Sequence, residues 1–248
     1  HSAQTTKTIS LPPTAQPSPT LPLYSNLGTT GTYVYATDLD CSSPRHLNKR
    51  AATIHAESEV KNDDNRPHTF RMTMLLRDME GKVLFSAMSE TVTLQPGETT
   101  TLHAANTTTG DLHLWSWGYG YLYTVETSLE ENDEAFDNVI TRTGFRKTAF
   151  KEGKIWLNDR VMMVHGYAQR TSNEWPGVGI SVPAWLSDYS NGLMVESGGN
   201  LVRWMHVTPW KQDIESCDRV GLPQAMPAGD AEKDVDGGRG EQRKGLRR

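Results

Sequence analysis

Glu57 and Glu59 stand two residues apart, the kind of carboxylate pair that acid–base chemistry uses. They fall in TIHAESEV (53–60), however, where residues alternate in character. Ile54, Ala56, Ser58 and Val60 share one face, and Thr53, His55, Glu57 and Glu59 share the other. The pair is therefore read as a solvated strand face. Arg170 can act as a clamp for an anionic group, because a guanidinium makes paired, planar hydrogen bonds to carboxylate or sulfate. Trp115, Trp117, Tyr119 and Tyr121 form a dense aromatic run, which is read first as a packed strand edge and second as a stacking platform. Asp230, Asp234 and Asp236 precede Gly237, but their spacing departs from a calcium loop and no Glu closes it. His55, His103 and His113 are expected on strand surfaces. Eight His and two Cys show no ligand spacing, so no metal and no cofactor is expected.

The elements that must position such groups can be read from the texture of the chain. It has 248 residues, 36 % of them hydrophobic and 22 % charged, enough for one large domain or two modest ones. With 25 Lys and Arg against 30 Asp and Glu, it lacks the basic excess of a chain-wide nucleic-acid footprint. No apolar run approaches the roughly 20 residues of a membrane helix. HSAQTTKTIS carries no intact signal peptide, and without an initial Met the natural start is expected upstream. Cys41 and Cys217 make no disulfide framework and leave the compartment open. Residues 1–22, rich in Ser, Thr and Pro, are expected to be a mobile leader. The last stretch, DAEKDVDGGRGEQRKGLRR, is expected to be loose, its basic end a solvated tail.

From about residue 31 to 146 the period is two. TFRMTMLLR places Phe70, Met72, Met74 and Leu76 inward, and further strands fit TYVYATDLD, VLFSAM, ETVTL, TTTLHA, YLYTVETSL and DNVITRTGF. Asp78–Gly81 and Gln95–Glu98 supply turns. Short alternating strands in series predict an antiparallel, immunoglobulin-like β-sandwich over 23–146. Beyond residue 150, KIWLN and VMMVHGY read as strands, the second buried on both faces. VPAWLSDYSNGLMVES has Ala184, Trp185, Tyr189, Leu193 and Met194 near helical spacing. NLVRWMHV reads as a strand and WKQDIESCDRVG as a helix stopped by Gly221. Strand–helix–strand–helix predicts a parallel α/β unit.

Several motifs occur in one order. Trp115-Ser116 is followed by Tyr121-Leu122-Tyr123-Thr124-Val125, then Gly144-Phe145-Arg146 and Leu157-Asn158 through Val161–Val164 to Gly166. Asn200, Val202, Arg203, His206 and then Asp218-Arg219-Val220-Gly221-Leu222 complete the series. In this order the chain resembles glycoside hydrolase family 2, the β-galactosidase and β-glucuronidase family. The departures lie at Trp117, Gly120, His165 and Ala168-Gln169-Arg170, and in the absence of an Asp-Glu after Leu222. They mark a divergent member.

The resemblance implies a sandwich followed, over 147–248, by the opening of a (β/α)₈ barrel of the TIM type. It also implies retaining hydrolysis of a β-glycoside, with two glutamates contributed by the fourth and seventh barrel strands. A full barrel takes about 250 residues, so residues 147–248 are expected to stop short of both, and no catalytic residue is assigned. Asn173-Glu174 has the form of the family's acid/base pair but follows the first barrel strand, so Glu174 is read as a loop residue. Substrate contacts are expected from Arg203 and His206 on and after their strand, from Trp210 by stacking, and from Arg170. The expected partner is a carbohydrate, with no nucleic acid and no membrane. An incomplete barrel would also expose apolar surface and promote self-association. The second reading is a non-catalytic sandwich, an interaction or glycan-binding module, the latter through Trp115, Trp117, Tyr119 and Tyr121.

Overall fold

The computed structural model describes residues 32–39, 41, 50–170, 182–205 and 209–226. The described residues up to Trp115, with Tyr121–Met162, make one compact unit; Ser116–Gly120 with the described residues from Met163 onward make a second.

In the first unit the period-two segments fold as antiparallel strands. One sheet has the order β1 (Thr32–Thr37), β2 (Arg50–Lys61), β6 (Thr99–Leu112). The other runs β4 (Val83–Met88), β3 (His68–Arg77), β7 (Tyr123–Glu131), β8 (Glu134–Thr143), with β5 (Val92–Leu94) also on β3. Ile54, Ala56 and Val60 from the first sheet and Phe70, Met72, Met74, Leu76, Val125 and Leu129 from the second are each no more than 1 % exposed. Burying a large apolar side chain contributes about 1.5–3 kcal/mol, and these inner faces close the two sheets into a sandwich. Ser58, the polar member of the inward row, is satisfied by Thr32 at 2.8 Å between hydroxyl oxygens. β6 continues past the expected TTTLHA to Leu112, because its backbone pairs along the whole of β2. Ladder hydrogen bonds do not depend on side chains, so the polar Asn106–Thr108 stretch stays in the sheet.

A small antiparallel sheet follows: β9 (Thr148–Lys151), β10 (Lys154–Leu157) and β11 (Arg160–Met162). Its hairpins turn at Glu152-Gly153 and Asn158-Asp159, all four with φ between 51° and 68°, as two-residue hairpins require. Trp115, Leu157 and Met162 form its core. The expected strand VMMVHGY is corrected here. β11 ends at Met162, Met163 and Val164 are 71 % and 41 % exposed, and the next strand begins at Gly166. The Asn200 side chain replaces ladder partners in the gap: its Nδ2 donates to the Met163 carbonyl (2.7 Å) and its Oδ1 accepts from the His165 N–H (2.9 Å).

The second unit alternates β12 (Gly166–Arg170), α1 (Ala184–Glu196), β13 (Leu201–Met205), α2 (Lys211–Val220) and β14 (Gln224–Ala225). The strands pair in parallel in the order β12-β13-β14. Val202 and Trp204 pack with Cys217 and Leu222 and against Met194 and Val195. The helical spacing located α1 but not its buried side: Trp185, Tyr189 and Leu193 are 69 %, 55 % and 46 % exposed. The buried side of α1 is Leu186, Ser187 and Asn191. The reason lies in α2, which offers polar groups. Ser187 Oγ donates to Asp213 Oδ1 (2.7 Å), and Asn191 Nδ2 donates to Ser216 Oγ (3.0 Å).

Candidate functional site

The carboxyl ends of the three parallel strands form the candidate site, since ligands of α/β sheets gather at that end. β12 and β13 approach most closely at their amino ends, away from the site. A Cβ on Gly166 would lie 1.9 Å from the Leu201 carbonyl oxygen, so no larger residue fits there. Asn200 aligns the two strands at their amino ends, its own N–H donating to the His165 carbonyl at 2.8 Å.

Arg203 lies mid-β13, in register with Ala168 of β12 and Ala225 of β14. These small neighbours leave its side chain exposed, on the sheet face opposite Val202 and Trp204. Arg203 has no hydrogen-bond or ion-pair partner among the described residues. A guanidinium so placed can bind a ligand hydroxyl or carboxylate bidentately. Arg170 closes β12, in register with Met205 and two residues further along than the Ala168–Arg203 pair. Register thus brings positions 170 and 203 to adjoining strands. His206 and Glu174 lie outside the described residues, as do Asp230, Asp234, Asp236 and the 1–22 leader.

Trp210 is the N-cap of α2, with extended backbone and a ring 48 % exposed. Its carbonyl accepts from the Asp213 and Ile214 N–H groups, so the helix start fixes its backbone. Trp204 is 1 % exposed and its indole donates to Gln224 Oε1 at 2.9 Å, which makes it core. Among the aromatic run, Trp115 is 5 % exposed within the small-sheet core and Tyr121 stacks on His113 at 4.2 Å. Trp115 and Tyr121 are thus packed, whereas Trp117 of the same run is 36 % exposed.

Two of the sequence motifs meet behind the site. Gly221 caps α2 at φ 73°, and a Cβ there would lie 2.6 Å from both the Ser116 carbonyl oxygen and the Tyr119 nitrogen. The Gly118 N–H donates to the Gly221 carbonyl at 2.8 Å. Arg219 grips Asp188 of α1 through both Nε and Nη2, with contacts of 2.8–3.3 Å. Asp218–Leu222 therefore positions the helices and does not touch the face that carries Arg203. Burial raises the Asp213 carboxyl above its ordinary range, and the Ser187 hydroxyl partly offsets this.

In the sandwich, Glu57 accepts the Tyr35 hydroxyl at 2.7 Å on the outer face of β2, as a surface carboxylate. Sequence reasoning missed the clamp around His68, whose Nε2 meets Asp64 Oδ2 at 2.9 Å and whose Nδ1 meets Glu131 Oε2 at 3.0 Å. These bonds raise the His68 pKa and lower those of Asp64 and Glu131. The sequence signal was the Asp64/His68 spacing; Glu131 arrives only through the β3–β7 pairing. Among the described residues no three His, Cys, Asp or Glu side chains converge as a metal site, and no helix is long and apolar enough to cross a membrane.

Comparison with known proteins agrees with this architecture. Residues 34–146 match the family model "Glycosyl hydrolases family 2". A β-glucuronidase of Formosa agariphila is 30 % identical over 223 residues, which is 88 % of this chain and 21 % of that protein. A β-galactosidase of Bacteroides ovatus is 23 % identical over 198 residues, 79 % of this chain and 22 % of its own length. Among solved structures, a β-glucuronidase from glycoside hydrolase family 2 superposes with a TM-score of 0.69 at 30 % identity, over 87 % of this chain and 22 % of that one. The chain thus spans about a fifth of the relatives it matches. With residues 34–146 matched by the family model and the likeness carried over most of the chain, the chain is similar to members of glycosyl hydrolases family 2.

Proposed function

We propose that this chain is the immunoglobulin-like sandwich and the opening β/α units of a TIM-type barrel from a retaining β-glycosidase. The observation that carries this reading is the collinear 30 % identity across 223 residues with a β-glucuronidase of which the chain spans 21 %. The parallel order β12-β13-β14 with intervening helices supports the start of a barrel. The domain division 23–146 and 147–248 belongs to this proposal. So does the carbohydrate partner, a β-glycoside.

The reaction needs two carboxylates about 5–5.5 Å apart. One protonates the glycosidic oxygen as the other attacks the anomeric carbon, and water then releases the glycosyl-enzyme with the first group acting as base. Both are supplied by sequence beyond the units described. Arg203 would hold a sugar hydroxyl or carboxylate from β13, with His206, Trp210 and Arg170 as further contacts around the same strand ends. The edges of β12 and β14, unpaired among the described residues, and the exposed Trp185, Tyr189 and Leu193 of α1 support contacts with further barrel elements or, in the isolated chain, self-association.

The test is hydrolysis of a panel of chromogenic β-glycosides. The 248-residue chain is expected to be inactive. A longer protein that continues this sequence is expected to be active, and its Arg203→Ala variant to lose roughly 10–100-fold in kcat/KM, about 1.4–2.7 kcal/mol. Hydrolysis by the 248-residue chain itself, at a rate unchanged by Arg203→Ala, would sink the reading.

A further inference from the structure

The open edge of the sandwich carries a constructed cleft with no part in the hydrolytic reading. Among the described residues β1 and β8 each end their sheet, and between β1 and the Thr143–Thr148 segment lies a cavity of about 600 Å³. That is within the range of small-ligand sites, roughly 300–1,000 Å³. Its lining includes Tyr33, Tyr35, Thr37, Asp38, Arg146 and Lys147.

Two of the lining side chains, Tyr33 and Tyr35, end a row of stacked rings that continues away from the cleft through His55 and His103. Tyr33 stacks on Tyr35 (centroids 5.0 Å apart), Tyr35 on His55 (4.7 Å, 5° between planes) and His55 on His103 (5.2 Å). Polar bonds hold each inner ring in place. The Tyr35 hydroxyl donates to Glu57 Oε1 (2.7 Å), the two imidazoles bond at 3.0 Å, and His55 Nε2 meets Thr37 Oγ1 at 2.8 Å. The bond to Glu57 pushes the Tyr35 phenol up to about 12, so it remains a donor through the neutral range. The row ends on Tyr33, 50 % exposed, with one ring face against Tyr35 and the other not taken up by the stack. Across the cleft, Lys147 Nζ is held by Asp159 at 2.9 Å and the Arg146 guanidinium lies 5.1 Å from the centre of the Trp115 ring. Asp38 is fixed by the Thr37 and Thr53 hydroxyls at 3.1 and 3.2 Å.

Such a lining is too polar for an apolar ligand. A pre-positioned aromatic face ringed by charged hydrogen-bonding groups suits a pyranose, whose C–H face is apolar and whose rim is all hydroxyl. We propose that this cleft is a non-catalytic sugar subsite, in which a pyranose of an oligosaccharide stacks on Tyr33 and hydrogen-bonds to Asp38 and Lys147. It does not rest on the hydrolytic reading, because every residue involved lies in the sandwich unit.

The experiment is calorimetric titration of the 248-residue chain with laminarihexaose, xylohexaose and a chondroitin hexasaccharide. Saturable binding of at least one is expected. Tyr33→Ala should weaken it about tenfold, while Tyr33→Phe, which keeps the ring, and Trp185→Ala, in the other unit, should bind as the parent does. Preference for the carboxylate-bearing chondroitin would assign Arg146 and Lys147 to the anion, and preference for a neutral sugar would assign the rim to hydroxyls; both support the subsite. No saturable binding by any of the three sugars overturns it. Undiminished binding by a folded Tyr33→Ala variant, checked by its thermal melt, overturns it equally.

Discussion

The sandwich and the α/β unit are held together by opposite chemistry. Between the two sheets the contact is a continuous apolar layer, Ile54, Ala56 and Val60 facing Phe70, Met72, Met74 and Leu76, all but fully buried. Between α1 and α2 the contact is hydrogen-bonded, Ser187 to Asp213 and Asn191 to Ser216, with Arg219 on Asp188 at the rim. The apolar side chains of α1 that might have filled that contact are instead exposed. The lesson is that the sandwich is joined by apolar burial between its sheets, whereas the helix pair of the α/β unit is joined by polar groups while Trp185, Tyr189 and Leu193 of α1 stay exposed.

That contrast can be broken or sharpened by mutation. The largest effect is expected for Met74→Ala in the sandwich core, which should destabilise that unit by about 2–5 kcal/mol in denaturant melts followed by amide exchange. A cost below about 1 kcal/mol would mean the layer is not close-packed. Gly166→Ala comes next. The clash with the Leu201 carbonyl should cost about 1–3 kcal/mol and be seen as lost exchange protection in β12 and β13, with protection of the sandwich core unchanged. Ser187→Ala should cost about 1–3 kcal/mol by leaving the buried Asp213 carboxyl without its donor. Replacing both polar partners of the neighbouring pair, Asn191→Leu with Ser216→Ala, should be close to neutral. A large loss in that double variant would show that the polar joint specifies the helix pair and is not merely tolerated.

The smallest expected effect is the pH dependence that the His68 clamp gives the sandwich. The His68 pKa is raised chiefly by its hydrogen bond to Asp64, so its contribution is complete below the unfolded value of about 6.5 and is lost as pH rises through the folded value. The Asp64 and Glu131 pKa values are lowered by their bonds to His68. Their contribution is present above the unfolded values of about 3.9 and 4.3 and is lost as pH falls through the folded ones. The clamp's contribution to sandwich stability should therefore decline on both sides of a plateau between about pH 4.5 and 6.5, read as the difference between the parent and His68→Gln profiles. His68→Gln should remove the alkaline decline, and an alkaline decline unchanged in that variant would exclude the clamp as its source.

Legibility followed the same division. In β2 and β3 the inward residues are those that alternation selected, because a strand has two faces and a sandwich buries one of each. On α1 the spacing found the helix but did not say which side is buried, since a helix can turn any of several faces inward and the polar residues of α2 settled which. VMMVHGY misled for a related reason. Its apolar run carries no information about where pairing stops, and Asn200, distant in sequence, ends it. At the candidate site, Arg203 and Trp210 stand exposed, whereas Trp204 beside Arg203 is core. The ring row from Tyr33 to His103 was not legible at all, because it needs the registers of three strands.

The sequence by itself determined the strands, the turn glycines, the order of the family motifs and the absence of a basic surplus, since each depends on local period, backbone freedom or simple charge. The tertiary structure alone decided which face of α1 is inward, that Gly166 and Gly221 are fixed by close approach of backbone, that His68 joins two carboxylates, and that Tyr33 ends a rigid row beside a polar cleft. Each of these is a relation between residues far apart in the chain. Local propensity cannot encode such relations, because the partner that fixes a side chain is present only after the sheets and helices have packed.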